Sequence, residues 1–365
     1  MRIALVVPGG VSSVRAEGEI PALHALIERL ATRHDVQVFS TDGHARLPYR
    51  FLGATVHHCG RSGSWFRTGR AIVAAHRAAP FDVVHAFWAL PTGAIAAAAG
   101  RWIGRPVLVH VAGTELVYFP DIGVGGQRTW RGRRGVSFAL RTASRVTGAS
   151  SSVIQLLDAR GIRGERVALG VDVTRWPALA PRRRTGSSAR LVHVADLNPI
   201  KDQGTLLEAA RLLAEGGLDF HLDIAGQDTL GGRIQDTARK LGLAGRVTFH
   251  GRVPHADLRA LIAEGDLLLH SSRFEAGPLA VLEAAVVGVP TVGTAVGHIA
   301  DWAPAAAVAV PVRDAVALAA EARRLLQDDD RRLSIAHEAQ RRALACDADW
   351  TARTFEALYE SVARR

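Results

Sequence analysis

Residues 267–288 read L-L-L-H-S-S-R-F-E-A-G-P-L-A-V-L-E-A-A-V-V-G. The apolar run Leu267–His270 has the length of a buried strand, and a turn with Gly277 and Pro278 follows it. Proline suits the first position of a helix and Gly288 suits the stop, so the spacing predicts a helix over 278–287. Two glutamates then take different places. Glu275 falls in the turn at the mouth of the helix, and Glu283 falls about a turn and a half inside it. Free N–H groups at a helix start bind anions, phosphate above all. A carboxylate accepts hydrogen bonds from a vicinal diol. Such a unit can hold a sugar nucleotide, with phosphates at the helix end and hydroxyls on the acids. An ordinary loop and helix with two solvated glutamates would carry the same letters.

Working outward, short apolar runs alternate with helical patterns along the whole chain. Ile3–Val7, Val36–Phe39, Val83–Ala86, Val107–Val111 and Arg145–Thr147 read as strands in the first half. Leu191–Ala195, His221–Ala225, Val247–His250, Leu267–His270 and Thr291–Gly293 do so in the second. Helical patterns occupy 20–31, 68–79, 203–215, 231–241, 255–263, 278–287, 314–327 and the tail 350–365. Strands without polar alternation belong to sheets covered on both faces, and strand–helix alternation means parallel α/β domains. The 365 residues suffice for two such domains. The stretch P-A-L-A-P-R-R-R-T-G-S-S (177–188) reads as the linker. The expected division is 1–175, 176–345 and a C-terminal helix over 346–365 that either packs back on the first domain or stays with the second, which periodicity does not decide. Doubly wound domains bind ligands outside the carboxyl ends of their strands, in a cleft.

Composition narrows the function. Hydrophobic residues make up 48%, enough for large cores. Cys59 and Cys346 stand far apart in no metal or redox spacing, as expected of reduced thiols in the cytoplasm. The start M-R-I-A-L-V-V-P-G-G reads as a buried strand rather than a signal peptide, and no apolar run reaches membrane-spanning length. Residues 1–175 hold 22 arginines against 11 acids, whereas the remainder holds 23 basic and 24 acidic residues. The positive field of the first half calls for an anionic partner. Of 45 basic residues only Lys201 and Lys240 are lysines. Lys201 closes L-V-H-V-A-D-L-N-P-I-K (191–201), at a strand-to-helix turn with Asp202 as N-cap, where an ammonium can reach a phosphate. Gly226, and Gly251 with Arg252 and Val253, end two further strands of the same sheet, where glycine permits close approach of a ligand.

Taken together, R-F-E-A-G-P-L-A-V-L-E-A, N-P-I-K-D-Q, I-A-G-Q-D, F-H-G-R-V-P-H-A-D-L and V-P-T-V-G-T-A-V-G-H-I-A-D resemble the donor domain of retaining glycosyltransferases of family 4. The resemblance extends over nearly the whole chain. It implies the GT-B fold, two doubly wound Rossmann-like domains facing a cleft, and a nucleotide-sugar donor linked to UDP or GDP. In that family the lysine matching Lys201 contacts the donor diphosphate, the glutamate matching Glu283 holds the ribose, and that matching Glu275 faces the donor sugar. The implied donor contacts are Gly10, Asn198, Lys201, Gly226, Arg252, Val253, Glu275, Gly277, Pro278, Leu279 and Glu283. Where many members carry arginine this chain has Asp196, whose carboxylate would repel phosphate unless it points away; either Arg252 or Arg273 compensates beside Lys201, or the donor is held less tightly.

In the first half, Pro8–Gly10 resembles the loop over the diphosphate. His110 ends the central strand in L-V-H-V-A-G-T-E, where the family has a histidine that touches the donor sugar; here Val111 and Ala112 intervene before Gly113. The implied catalytic set is His110, Lys201 and Glu275. His85, Trp88 and Glu115 are the expected acceptor contacts, although a strand-end histidine such as His85 also suits a purely structural role and Glu115 also suits the capping of a turn. No cluster has metal-ligand spacing, so neither metal nor other cofactor is expected and the nucleotide sugar is a substrate. Two basic-aromatic stretches, 61–70 and 128–145, with Arg131, Arg134, Arg141 and Arg145 at helical steps, fit either an anionic membrane surface or a solvated face. Gly132 and Gly135 weaken any helix there. Nucleic acid is not an expected partner, because no recognition motif or stacking pattern accompanies the arginines. The expected activity is metal-independent, retaining transfer to a glycan, lipid-linked or small-molecule acceptor, in the cytoplasm at the inner face of the membrane. A non-catalytic nucleotide-sugar sensor and a nucleotide-sugar epimerase are the rival readings.

Overall fold

A computed structural model describes residues 1–11, 19–42, 47–60 and 64–363. The strands are β1 (Arg2–Val7), β2 (Asp35–Ser40), β3 (Tyr49–Phe51), β4 (Ala54–His58), β5 (Val83–Phe87), β6 (Val107–Val111), β7 (Arg145–Gly148), β8 (Glu165–Arg166), β9 (Ala189–Val194), β10 (Phe220–Ala225), β11 (Val247–Gly251), β12 (Leu267–His270), β13 (Thr291–Thr294) and β14 (Val308–Val310). The helices are α1 (Pro21–Ala31), α2 (Ser64–Ala78), α3 (Ala94–Ile103), α4 (Trp130–Thr142), α5 (Ser151–Asp158), α6 (Gln203–Glu215), α7 (Arg233–Lys240), α8 (His255–Ala263), α9 (Leu279–Val286), α10 (Gly297–Trp302), α11 (Ala315–Gln327), α12 (Asp329–Ala345) and α13 (Ala348–Ala363).

Contacts divide the chain into two compact units, Met1–Gly170 with Ala348–Arg365, and Val171–Asp347. The first unit holds a sheet in the order β3-β4-β2-β1-β5-β6-β7-β8, and the second a sheet in the order β11-β10-β9-β12-β13-β14. All pairings are parallel except the β3–β4 hairpin at one edge. Each sheet is laid down from its first strand to one side, then restarts on the other side of that strand. The reversal falls between β1 and β5 in the first unit and between β9 and β12 in the second. In doubly wound sheets ligands bind outside the strands' carboxyl ends at such a reversal.

Double coverage explains the unalternated strands. In β12, Leu267 and Leu269 pack with α6 and α11 on one face, while Leu268 packs with α8, α9 and α10 on the other. Helices show the complementary stripe: α11 buries Leu318, Ala319, Ala322, Leu325 and Leu326, one face of a 3.6-residue period.

Three expectations are corrected. The division falls at 170/171 rather than 175/176, and 177–188 is not a free linker. Arg182 donates to the carbonyls of Ala263, Glu264 and Gly265, and Arg184 pairs with buried Asp266, so this strap is fastened to the second unit by satisfying the end of α8. Second, Gly132 and Gly135 do not break α4. They let it pack closely: an added Cβ at Gly132 would lie 2.4 Å from the carbonyl oxygen of Gly126, and one at Gly135 2.7 Å from Leu90. Thr129 caps the helix by accepting from the Gly132 amide at 3.0 Å. Third, Arg145 opens β7 and so cannot share a helical face with Arg131, Arg134 and Arg141. Residues 61–63 of the first basic-aromatic stretch and 364–365 of the tail lie outside the described residues.

Helix α13 clusters with the first unit. Tyr359 and Phe355 lie against the central strands, Thr351 donates to the carbonyl of Ala168 at 2.8 Å and accepts from the Gly170 amide, and Glu356 pairs with His34.

Candidate functional site

The two loops that leave β9 and β12 at the reversal of the second sheet are stitched together. The Arg273 amide donates to the carbonyl of Ile200 at 2.8 Å, and the Ser271 hydroxyl donates to that of Lys201, also at 2.8 Å. Asn198 shapes the first loop: its side-chain oxygen accepts from the amides of Ile200 and Lys201, both at 3.2 Å. Thr294, at the end of β13, donates to the carbonyl of Ser272 at 2.6 Å. Gly297 lets α10 approach from the other side; a Cβ there would meet Pro278 at 2.7 Å and the Glu275 carbonyl at 3.2 Å.

This frame sets one ion pair. Lys201 Nζ donates to Glu275 Oε1 at 2.6 Å, and the two side chains are 24% and 12% exposed. Ser272 Oγ, at 2.6 Å, and His270 Nε2, at 3.2 Å, donate to the same oxygen. Burial alone would raise the carboxyl's pKa, but the Lys201 ammonium and His270 more than reverse it, so Glu275 stays ionised far below the usual carboxylate range. All three donors converge on Oε1. Among the described residues nothing bonds Oε2, which leaves one acceptor oxygen for a ligand. Beneath them His193 donates through Nδ1 to the carbonyl of Leu269 at 2.9 Å, and burial pushes its pKa down to about 3.

Helix α9 begins beside this pair. Pro278 is its N-cap rather than its first helical residue, and no side chain caps it, so the first amides near Gly277 and Leu279 are left for other acceptors. Glu283 is buried in the helix, with Oε1 accepting from His255 Nε2 at 2.6 Å. Arg252 is exposed at the end of β11 and Val253 packs onto the adjoining core. Asp196, also exposed, is held away by the Gln227 amide, which donates to its Oδ1 at 2.9 Å.

A family model described as "Glycosyl transferases group 1" matches residues 180–342, and one described as "Glycosyl transferase 4-like domain" matches residues 17–170. The chain belongs to the group 1 glycosyltransferases. Among curated relatives, this group 1 chain is 33% identical over 183 residues to the glycogen synthase of Mycobacterium tuberculosis, across 50% of this chain and 44% of that one. It therefore spans under half the length of that relative. It is 30% identical over 320 residues to the D-inositol 3-phosphate glycosyltransferase of Salinispora tropica, across 80% of this chain and 66% of that one. Among solved structures it superposes on sucrose-phosphate synthase from Thermosynechococcus elongatus with a TM-score of 0.80 at 17% identity, covering 99% and 98% of the two chains. Anabaena HepE in complex with UDP and glucose gives 0.78 at 19% identity, covering 99% and 100%. The fold is thus GT-B, two Rossmann-like domains.

The structure brings Asn198, Lys201, Glu275 and the start of α9 together, with Glu283 inside that helix. At Gly226 the space a Cβ would need is filled by the Ala195 carbonyl, at 2.0 Å, so close packing at the strand end itself requires glycine. Gly10 has a φ of 75°, which favours glycine, and its carbonyl accepts from His24. In the first unit the structure buries three of the expected residues. His110 is covered by Phe87 and Phe355, with Nδ1 2.9 Å from Thr147 Oγ1 and a pKa pushed down to about 3 by burial. His85 is sealed by Tyr359, whose hydroxyl lies 2.7 Å from Nδ1, and by Phe355. Glu115 spends both oxygens on backbone, accepting from the Ala89 amide at 3.0 Å and the Gly113 amide at 2.7 Å; burial raises its pKa while those bonds oppose the rise. It positions loops and is not free for an acceptor. Trp88 remains half-buried at the end of β5 with a φ of 69°, strained backbone that tertiary contacts must hold. His270, Ser272, His255 and Gly297 were missed. Only the serine three positions before Glu275 left a trace in sequence, as a polar residue within reach of the turn.

Proposed function

We propose that this chain is a retaining glycosyltransferase that moves a sugar from a UDP- or GDP-linked donor to a glycan, lipid-linked or small-molecule acceptor. The observation that carries the reading is the Lys201–Glu275 pair at the reversal between β9 and β12, beside the uncapped start of α9. Departure of a nucleoside diphosphate builds negative charge on its β-phosphate. Lys201 and the amides near Gly277 and Leu279 answer that charge, which is electrostatic catalysis. Glu275 offers Oε2 to a sugar hydroxyl, and Glu283 offers its carboxylate to the ribose. The acceptor attacks from the face the diphosphate leaves, and the leaving phosphate takes its proton. The UDP and glucose in the HepE structure favour a UDP-linked hexose.

The ammonium of Lys201 does the charge neutralisation that a metal would otherwise supply. The test is a thermal-shift screen against UDP-, GDP- and ADP-sugars followed by a turnover assay with and without EDTA. A bound donor raises the melting temperature by mass action. Sugar release to an acceptor, unchanged by EDTA, is expected. Binding without turnover would mean a sensor, isomeric donor without acceptor would mean an epimerase, and loss of turnover in EDTA would remove the metal-free mechanism.

Membrane contact is proposed for the first unit. Neighbouring helices α2, α3 and α4 leave Trp65, Phe66, Trp102, Trp130 and Phe138 exposed, and the guanidinium carbons of Arg131 and Arg134 lie 5.4 and 5.2 Å from the Trp130 ring centre. Aromatics beside arginines suit an anionic interface. No helix among the described residues is long and apolar enough to cross a membrane. Arg131→Glu with Arg134→Glu should cut binding to vesicles with 30 mol% phosphatidylserine by at least about thirtyfold, at about 1 kcal/mol per lost cation; equal binding would retire the contact.

A further inference from the structure

Glu283 does not stand alone. Its Oε1 accepts from His255 Nε2 at 2.6 Å, and its side chain is 4% exposed. His255 is the first residue of α8, after Pro254, and its ring stacks on Trp176 with centres 4.7 Å apart and planes 29° apart. Trp176 is itself buried, and its Nε1 donates to the Glu283 carbonyl at 3.1 Å. The tryptophan thus fixes both the helix that carries the carboxylate and the imidazole that holds it. Among the described residues nothing bonds Glu283 Oε2.

We propose that His255 is a positioning residue of the nucleotide site: clamped on Trp176, it fixes Glu283 by Oε1 and presents Oε2 as the acceptor for a ribose hydroxyl. This rests on the nucleotide-sugar reading above. A free glutamate must surrender side-chain rotation when a ligand arrives, which weakens binding; a carboxylate already held by an imidazole N–H has made that loss on folding. Holding one oxygen also sharpens selection. A buried acceptor built for a hydroxyl rejects the analogue that lacks it, because the acceptor is left unpaired. A carboxylate free to rotate turns toward water or the helix start and discriminates less.

The experiment compares the ribose and 2′-deoxyribose forms of whichever of UDP, GDP and ADP the wild-type protein binds, by calorimetry. Wild type should prefer the ribose form by about tenfold, one charge-assisted hydrogen bond. In His255→Ala the preference should shrink to about twofold, chiefly through weaker ribose-form binding, with KM raised and kcat held. His255→Gln, whose amide can donate to Oε1, should restore most of it. The exposed edge of His255 makes these variants tolerable, and melting curves check their folding. An undiminished ribose preference in His255→Ala, or equal weakening of both forms, would overturn the positioning role. Failure of the wild type to bind any of the three nucleotides would instead sink the functional reading on which it rests.

Discussion

Lys201→Ala is expected to lower kcat/KM for glycosyl transfer by about a thousandfold, the scale of losing one preorganised group at a developing oxyanion. Two effects combine. The ammonium that meets the leaving diphosphate is gone, so donor binding and the transition state both suffer. Glu275 also loses its principal counter-charge. Its carboxyl is buried, and burial raises its pKa, so without Lys201 it takes up a proton more readily and its hydrogen bonds from Ser272 and His270 weaken. Lys201→Arg should recover little, because a planar fork cannot take the place of a compact charge in this short turn. The measurement is steady-state turnover of the cognate donor beside donor affinity by calorimetry. A variant that keeps both within threefold of wild type would remove the diphosphate role of Lys201. Pairing it with Glu275→Gln separates the two effects: if much of the loss is an uncompensated buried acid, the double variant regains stability but not turnover.

Acid should unfold this protein in a window set by buried histidines, and the first unit should yield before the second. His110 and His193 have native pKa values near 3 because burial disfavours their charge, and His85 lies well below its ordinary value for the same reason, with His110 adding to it. Above about pH 6.5 these groups are neutral in both states and contribute nothing to the pH dependence. Below it the unfolded chain binds protons that the native state refuses, so stability falls as pH falls, down to the native pKa values. Each such histidine then costs about 1.4 kcal/mol per pH unit, or about 2 kcal/mol by pH 5. The first unit holds two of them, His85 and His110, and the second holds His193. Urea midpoints followed between pH 7.5 and pH 5, above most carboxylate titration, should drop steeply, with two transitions separating as pH falls. His110→Gln should flatten the earlier transition by about one proton. Midpoints level across that range would mean that these imidazoles are protonated in place and that their burial is not what the structure describes.

Those two expectations draw on unequal shares of sequence information. Lys201, Glu275 and Glu283 were legible because each sits at a fixed offset from a strand end or helix start, and local rules place residues there. The lysine's rarity and the proline after Glu275 added to the signal. For His110, His85 and Glu115 the same rules did not reveal burial. A strand end points to the carboxyl edge of a sheet, yet it does not say what lies on top. Phe355 of α13, some 250 residues further along the chain, covers both histidines, and Tyr359 of the same helix covers His85. One oxygen of Glu115 is taken by the Ala89 amide, 26 positions earlier, and the other by the Gly113 amide of its own loop. Gly132 and Gly135 show the converse, since their poor helix propensity gave way to close packing on Gly126 and Leu90.

By itself, then, the sequence determined the alternation of strands and helices, the two parallel sheets and the identity of the ion pair's members, because hydrophobic period, caps and turn residues act over a few positions. Tertiary structure alone decided where the tail helix docks, which histidines are sealed, that three donors load a single oxygen of Glu275, and that His255 holds Glu283 against Trp176. Those outcomes depend on which distant side chains fill the space around each polar atom. Burial and partner, rather than residue type, set whether that atom is buried in the core or left open to a ligand.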